Sequence, residues 1–253
     1  GNVPYVITVG AVSDNYSITN NSDDFLATFS SAGPTFEGFV KPDLVAPGGH
    51  ILGYMHPTAH LPVNHPDFTD GQGWFMMSGT SQAAAVVSGI AALVLEQDPS
   101  LTPDEVKCRL FSAGNPALNG QGELAVSVFQ QGSGLIDAYE AVNSPATGCA
   151  NQGLDINADL AGTSHFGGRA NQDPVTGEYY IDGIEGSGYL WADGYLWTDG
   201  YLWTDGYLWA DGYLWADGYL WADGYLWADG YLWADGYLWA DGTIESNVWT
   251  NQE

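Results

Sequence analysis

Nine consecutive copies of one hexapeptide, YLWADG or YLWTDG, fill residues 189 to 242. Six residues rotate an α-helix by about 600°, so successive copies would not share a helical face, and a glycine in every copy weakens a helix further. In extended backbone the even period keeps Tyr and Trp on one face and Leu with Ala or Thr on the other. The period therefore excludes an α-helix and favours β-structure.

The repeat leaves two β layouts open. Asp-Gly is a strong tight-turn signal, so four-residue strands either form a meander or wind into a solenoid with several hexads per coil. A disordered spacer is the third alternative, but three large apolar residues in every six argue against a solvated coil. Rows of aromatic residues beside carboxylates predict polysaccharide binding or self-association as the function of the array.

The rest of the chain has a different composition. Residues 1–143 mix aliphatic residues with scattered charge, as globular domains do. We therefore predict a globular domain over 1–143, a linker over 144–188, the repeats over 189–242 and a tail over 243–253.

Charge and hydropathy exclude two classes of partner. The chain has 31 acidic and 4 basic residues, a net charge of -27, which would repel nucleic acid and anionic lipid. The longest apolar stretch without charge, Ala83 to Leu95, has 13 residues, whereas a bilayer needs roughly 20. We expect no nucleic-acid partner and no membrane span. Since the first residue is Gly and no signal region precedes the globular part, we also expect a fragment.

Residues 1–143 predict alternating strands and helices. Strands are expected at Pro4–Val12, after Phe25 and in two pieces within Lys41–Gly53, followed by a loop from Tyr54 to Gly73. Helices are expected at Ser81–Gln97, from a Thr102 cap to Gly114, and at Asp137–Val142.

Ser81 lies at a glycine-flanked turn before a run of small apolar residues. A serine nucleophile needs an exposed hydroxyl, a base, and donors for the developing oxyanion. Gly79 allows close approach of a substrate, and a helix that begins at Ser81 directs unpaired N–H groups toward an anion. Serines at such positions are more commonly helix caps, so these features alone do not establish catalysis.

Several motifs resemble the C-terminal half of the subtilisin-like serine proteases. They are VITVGAV, FSSAGP, KPDLVAPG, MSGTSQAAAVVSGIAALVL, LTPDEVKCRL and GSGLIDAYEAV, in the order of that family. The resemblance implies an α/β fold, namely the C-terminal half of a three-layer domain with a parallel sheet, followed by the all-β repeat segment. It also implies a secreted serine endopeptidase acting on protein or peptide substrates. Ser81 matches the nucleophile and an N–H oxyanion donor, and Thr80 and Gly79 lie beside it.

The resemblance places the other catalytic residues of the family outside this chain. In that family Asp, His and an oxyanion Asn precede the serine, and here they would all precede Val3. Asn2 is too close to the first strand to be that Asn, and His50, His56, His60 and His65 all follow the strand. We therefore expect this chain alone to be inactive and its partner to be the missing N-terminal half. The alternative is a non-catalytic structural or adhesive protein that acts through the repeats.

Metal and cysteine chemistry stay open. The four histidines between positions 50 and 65, with Asp67 and Asp70 nearby, match no compact zinc motif. DINAD, from Asp155 to Asp159, has the alternating oxygens of a calcium loop but lacks its glycine. No cofactor is required for serine catalysis, while the resemblance implies Ca²⁺ as a structural ion. Cys108 and Cys149 either form a disulfide or remain two small hydrophobic residues.

Overall fold

The computed structural model describes residues 1–14 and 24–184 and, beyond them, the backbone of the strands between Tyr189 and Val248. The chain divides into two compact units. The first comprises Gly1–Gly33, Lys41–Pro116 and Gln130–Phe166, and the second comprises Pro34–Val40, Ala117–Phe129 and Gly167–Glu253.

A five-stranded sheet forms the centre of the first unit. Its strands are β1 (Val9–Ser13), β2 (Phe25–Leu26), β3 (Leu44–Pro47), β6 (Gly114–Asn115) and β7 (Leu135–Ile136), in the order β2-β1-β3-β7-β6. The three central strands are parallel, and β2 and β6 pair antiparallel at the edges. The apolar stretch Val9–Val12 is suited to this position because a central parallel strand is covered on both faces.

Helix α2 (Thr80–Gln97) packs on β1 and β3, and α3 (Pro103–Ser112) and α5 (Ala138–Asn143) pack against α2. The buried positions of α2 are Ala83, Val87, Ile90 and Val94, which lie on one helical face. They pack with Leu44 and Ala46 of β3 and with Leu110 of α3 in one core cluster. This α/β arrangement confirms the predicted fold class.

The start of α3 is fixed by its sequence. Thr102 Oγ1 accepts a hydrogen bond from Glu105 N at 3.3 Å, and the Glu105 carboxylate accepts one from Thr102 N at 2.7 Å. With Pro103 in the first turn, this reciprocal capping box confirms the predicted helix start. The helix ends at Ser112 with Ala113 as its cap, and the predicted terminator Gly114 instead begins β6.

The segment expected to be a loop has structure of its own. Strands β4 (Ile51–Tyr54) and β5 (Trp74–Met77) form an antiparallel pair, and between them lie α1 (His60–Asn64) and a 3-10 helix at Pro66–Phe68. The expectation of a continuous loop was therefore wrong. Pro66 stands in the first turn of the 3-10 helix, where proline is tolerated.

Two lysines and one aspartate hold the N-terminal segment. Lys41 Nζ lies 2.6 Å from Asp43 Oδ2 and donates to Val6 O at 2.9 Å. Lys107 Nζ donates to Pro4 O at 2.6 Å and lies 3.8 Å from Asp43 Oδ1. Both lysines are buried, so two of the four basic residues of this acidic chain serve its interior rather than its surface.

Cys108 and Cys149 are joined in a disulfide, which settles the alternative left open by the sequence. The bond attaches the segment after α5 to α3. Asn151 reinforces the attachment, since its side chain hydrogen-bonds Asp104 at 2.7 Å and Lys107 at 3.1 Å.

Four smaller elements complete the described part before the repeats. They are α4 (Val128–Gln131), α6 (Ile156–Leu160), β8 (Asn171–Gln172) and β9 (Tyr179–Tyr180). Asp155, the first residue of the DINAD stretch, caps α6 by accepting from the N–H groups of Asn157 and Ala158 at 2.9 and 3.0 Å.

The repeats form a solenoid rather than a meander. Its strands are β10 (Tyr189–Ala192), β11 (Tyr195–Thr198), β12 (Tyr201–Thr204), β13 (Tyr207–Ala210), β14 (Tyr213–Ala216), β15 (Tyr219–Ala222), β16 (Leu226–Ala234), β17 (Leu238–Ala240) and β18 (Ile244–Val248). β10 pairs with β13, β11 with β14 and β12 with β15, all parallel. Tyr189 pairs with Tyr207 and Leu196 with Leu214, a spacing of 18 residues. Three hexads therefore make one coil with three faces, and like residues stand in register.

Candidate active site

Ser81 occupies the second position of α2 and is exposed. The residue that caps this helix is Gly79, and no side chain makes a capping hydrogen bond there. The helix thus begins one residue earlier than expected, and Ser81 is not its N-cap. Within the described ranges no hydrogen bond engages the Ser81 hydroxyl, so the common structural role of such a serine does not account for it.

The start of α2 presents backbone donors beside Ser81. Gln82 N and Ala83 N donate to Gly79 O at 3.1 and 3.3 Å, which closes the first turn. The N–H groups of Thr80 and Ser81 come before these and have no carbonyl four residues back within the helix. They lie at the positive end of an 18-residue helix, where negative charge is stabilised. The three predicted residues Gly79, Thr80 and Ser81 thus form one turn with the geometry expected of an anion site.

Gly48, directly after β3, contacts this turn, a role that was not predicted from the sequence. Gly79 N donates to Gly48 O at 2.8 Å. A Cβ at Gly48 would lie 2.7 Å from Ala11 Cβ, 2.8 Å from Gly79 O and 3.1 Å from Ala83 Cβ. Only a residue without a side chain lets the end of β3 approach the turn this closely. The signal was present in the pair Gly48-Gly49 directly after a strand.

The histidines make other contacts. His50 Nδ1 lies 3.5 Å from Ser13 Oγ, and its backbone N–H donates to Ser78 Oγ at 2.9 Å. His56 Nδ1 contacts Thr58, and His60 Nδ1 contacts the Asn64 amide. Across the described residues no hydrogen bond joins a histidine to Ser81.

The side of α2 that points away from the core is exposed. It carries mostly small residues, namely Ala84, Ala85, Ser88 and Gly89, with Leu93 one turn further on. A Cβ added at Gly89 would meet nothing within 4 Å. The helix that carries Ser81 therefore packs on the sheet with one face and presents a face of small residues on the other.

Charged groups with shifted pKa values lie away from the serine. Burial lowers the pKa of Lys107, although Asp43 opposes the shift. Hydrogen bonds from Ser100 lower the pKa of Asp98, and those from Thr102 lower the pKa of Glu105. These groups stabilise α3 and the N-terminal segment rather than tune a base.

Metal ligands do not converge in the described ranges, where no three His, Cys, Asp or Glu side chains come together as a binding set. His165 does approach Asp159, at 3.6 Å. Over the same ranges no helix is long and apolar enough to cross a bilayer.

Comparison with protein-family models gives two matches. Residues 1–134 match the subtilase family, and residues 186–206, 217–236 and 223–243 match the WXXGXW repeat. The first match covers the turn around Ser81 and strands β1 and β3, and it ends just before β7.

Among curated proteins the chain is similar to the serine protease AprX of Bacillus subtilis (strain 168), with 48% identity over 102 residues, and to the subtilisin-like protease SBT3.9 of Arabidopsis thaliana, with 35% over 127 residues. These alignments take in 40% and 46% of this chain but only 23% and 16% of the two relatives. Among solved structures it is similar to fervidolysin from Fervidobacterium pennivorans, a keratinolytic enzyme related to subtilisin, at 26% identity and a TM-score of 0.43, over 58% of this chain and 20% of that one.

The turn at Ser81, the parallel sheet below it and a family match over more than half of the sequence lead to one assignment. The chain belongs to the subtilase family.

Proposed function

We propose that this chain carries the nucleophile of a serine endopeptidase that hydrolyses peptide bonds. The observation that supports the proposal most directly is the environment of Ser81: an exposed hydroxyl without a capping role, beside the unpaired N–H groups at the start of α2. Attack by Oγ on a carbonyl carbon would form an acyl-enzyme, and those N–H groups would stabilise the oxyanion. Water would then release the acyl group, and no cofactor is required.

The base and the residue that orients it would come from a polypeptide segment outside this chain. The exposed small-residue face of α2 supports this proposal. Small side chains let another element approach a helix closely, and the exposed positions from Ala84 to Gly89, nearly two helical turns, are all Ala, Ser or Gly. We infer that the segment carrying Asp, His and Asn packs on Ala84, Ala85 and Ser88, next to the serine.

The substrate class and the location of the complete protein are part of the same proposal. The relatives named as proteases support protein or peptide substrates, and we propose that the complete protein is secreted. Ca²⁺ is proposed only as a structural ion.

Labelling with a fluorophosphonate tests the nucleophile. This chain alone should react very slowly, because loss of the serine or the histidine lowers kcat by about 10⁶-fold in subtilisin. The complete protein from its native source should be labelled, and intact mass with peptide mapping should place the label on Ser81. Ser81→Ala is the test variant, and Ser164→Ala, at an exposed serine after α6, is the matched control. Rapid labelling of the 253-residue chain alone would refute the need for an external base.

A second function is favoured by the register of the solenoid. Because Trp191 pairs with Trp209 and Tyr189 with Tyr207, the backbone places aromatic residues in rows at strand spacing. We propose that this array binds polysaccharide or associates with other copies, alone or beside proteolysis. Binding of the full chain to a glycan array, together with its molar mass in solution, tests the two modes.

A further inference from the structure

The two ends of the repeat array are built differently. We call the end at β10 the first end and the end at β18 the last end. At the first end β9 pairs antiparallel with β10, and β8 pairs with β9. This hairpin therefore adds two strands to one face of the solenoid. On the other two faces β11 and β12 are the outermost strands at this end among the strands that the structure describes.

The hairpin at the first end is well ordered by its own hydrogen bonds. Asp173 Oδ1 accepts from Val175 N at 2.7 Å and from Thr176 N at 3.1 Å, and Asp173 N donates to Glu178 O at 2.8 Å. Its outer strand, Asn171–Gln172, is short, polar and exposed. Short polar edge strands protect a sheet against pairing with another chain. The first end is therefore capped on one face.

The last end has the shape of a regular helical step. Its outermost described strands are residues 232–234 of β16, then β17 and then β18, and each pairs in parallel with the coil beneath it. Because these three strands follow one another along the coil, each stands a third of a strand spacing beyond the one before. Among the described strands, β17 and residues 232–234 pair only with that lower coil. Their outward N–H and C=O groups are available to pair with another strand.

Such a step is complementary to an inverted copy of itself. A two-fold axis through the face of β17 places β17 against the same strand of a second copy and places β18 of each copy against residues 232–234 of the other. Measured from residues 232–234, β17 stands one third and β18 two thirds of a strand spacing higher. The two heights that meet on each face therefore have the same sum on all three faces. One strand spacing between the copies is then reached on every face at once.

The first end does not allow this fit. There the hairpin projects by two strands on one face, while β11 and β12 differ by only a third of a spacing. The heights cannot match on all three faces, either against another first end or against a last end. An open chain of arrays would need contacts at both ends, so the geometry favours a closed pair with two-fold symmetry.

The sequence of the last end also suits pairing between strands. Residues 232–234 and 238–240 both read Leu-Trp-Ala, without the lysine or proline that commonly protects a strand edge. β18 contributes one charged residue, Glu245. The net charge of the chain, -27, opposes the association of two copies, and salt screens that repulsion. Association should therefore strengthen as the salt concentration rises.

We propose that two copies of this chain associate through the last ends of their arrays, by antiparallel main-chain pairing of β17 with its own copy and of β18 with residues 232–234 of the other copy. The inference rests on the self-association proposed above and specifies its partner, surface and symmetry. It predicts a closed dimer rather than a fibre.

The molar mass of the full chain, measured over a range of protein and salt concentrations, tests the dimer. We expect a monomer–dimer equilibrium that shifts toward dimer with salt and forms no larger species. Trp233→Lys with Trp239→Lys places like charges on strand edges that meet, and should weaken dimerisation by about tenfold or more. Trp197→Lys with Trp203→Lys, at the same repeat positions in the first coil, is the matched control and should leave the dimer unchanged.

Pulsed EPR distances test the orientation without these variants. Spin labels on Ser246→Cys, in β18, should lie within about 25 Å of each other in the dimer, because each β18 meets the other copy. Labels on Asn171→Cys, in β8, should lie about 50 Å apart, roughly ten strand spacings. These distances decide the orientation even if the lysine variants do not fold.

Several outcomes would overturn the proposal. They are a monomer at every salt concentration, growth to larger species, or a shorter distance between the labels in β8 than between those in β18. Equal weakening by both pairs of lysine variants would also overturn it and would leave side-by-side association of the arrays as the proposed function. A monomer that binds glycans would refute the dimer while the polysaccharide function stands.

Discussion

Removing the Cys108–Cys149 disulfide should destabilise the first unit substantially. The two cysteines are 41 residues apart. In the chain-entropy model a loop of that length restricts the unfolded chain by about 13 cal/mol/K, or about 4 kcal/mol at 25 °C. Measured effects are commonly smaller, so we expect Cys108→Ala with Cys149→Ala to lower the free energy of unfolding by about 2–4 kcal/mol.

The consequence should appear first in α3 and the N-terminal segment. Cys108 is fully buried in α3, and Cys149 lies two residues before Asn151, which bonds Asp104 and Lys107. Without the disulfide, ordering the segment 144–151 costs more conformational entropy. The contacts of Asn151 with Asp104 and Lys107 are therefore less stable.

The assay must separate the two units. Most of the tryptophans lie in the repeats, so tryptophan fluorescence would report on the array. Hydrogen exchange by mass spectrometry on peptides from α3 measures the first unit directly. A thiol titration of the unfolded, unreduced chain provides the control and should find no free cysteine. Free thiols in the unfolded, unreduced chain, or a loss of protection in α3 below about 1 kcal/mol in the double variant, would refute this reasoning.

Three further predictions concern the same unit. Leu110→Ala removes a fully buried side chain from the core cluster and should cost about 2–5 kcal/mol in urea unfolding, whereas Leu95→Ala, at an exposed site on α2, should cost little; equal costs would contradict the assigned core. Gly48→Ala should cost about 1–3 kcal/mol by overpacking and should slow labelling of Ser81 in the complete protein, while an unchanged labelling rate would mean that the turn tolerates the methyl group. Because burial lowers the pKa of Lys107, the folded chain binds fewer protons than the unfolded chain between that lowered value and the ordinary 10.5, so its contribution to stability rises with pH across this window. Urea midpoints measured from pH 8 to 10.5 should rise less steeply in Lys107→Met, and parallel profiles would argue against the shift.

The sequence predicted the elements whose signals are local. The capping box at Thr102 and Glu105 formed where expected, and the small-residue helix after Gly79 begins one residue earlier than predicted. The strand predicted at Pro4–Val12 covers only Val9–Ser13, because the local pattern indicates a strand but not where its pairing begins. The choice of a solenoid could not be made in advance, because a six-residue period is compatible with any number of hexads per coil. The pairing of residues 18 positions apart decides it.

Contacts between residues far apart in the sequence could not be predicted, because local patterns do not report them. Nothing near Lys107 in the sequence indicates that its ammonium group would bond the carbonyl of Pro4, 103 residues away. The close approach of Gly48 to Gly79 and the exposed position of Tyr54 over Gly73 likewise depend on tertiary packing. For the candidate site, residue types were predictable from the resemblance, while the role of Gly79 as the cap of α2 required the backbone geometry.

Because three hexads make one coil, the length of the array can change in steps smaller than one coil. Deleting one hexad moves each later strand to the next face, where it meets a strand of nearly the same sequence, so the parallel stacking survives. The number of hexads can therefore change by one, as recombination between near-identical repeats would produce, and the strands still pair in register. Each hexad adds a third of a strand spacing, about 1.6 Å, to the length of the solenoid. Lineages of this protein could thus adjust the reach of the array in small steps while its cross-section stays the same.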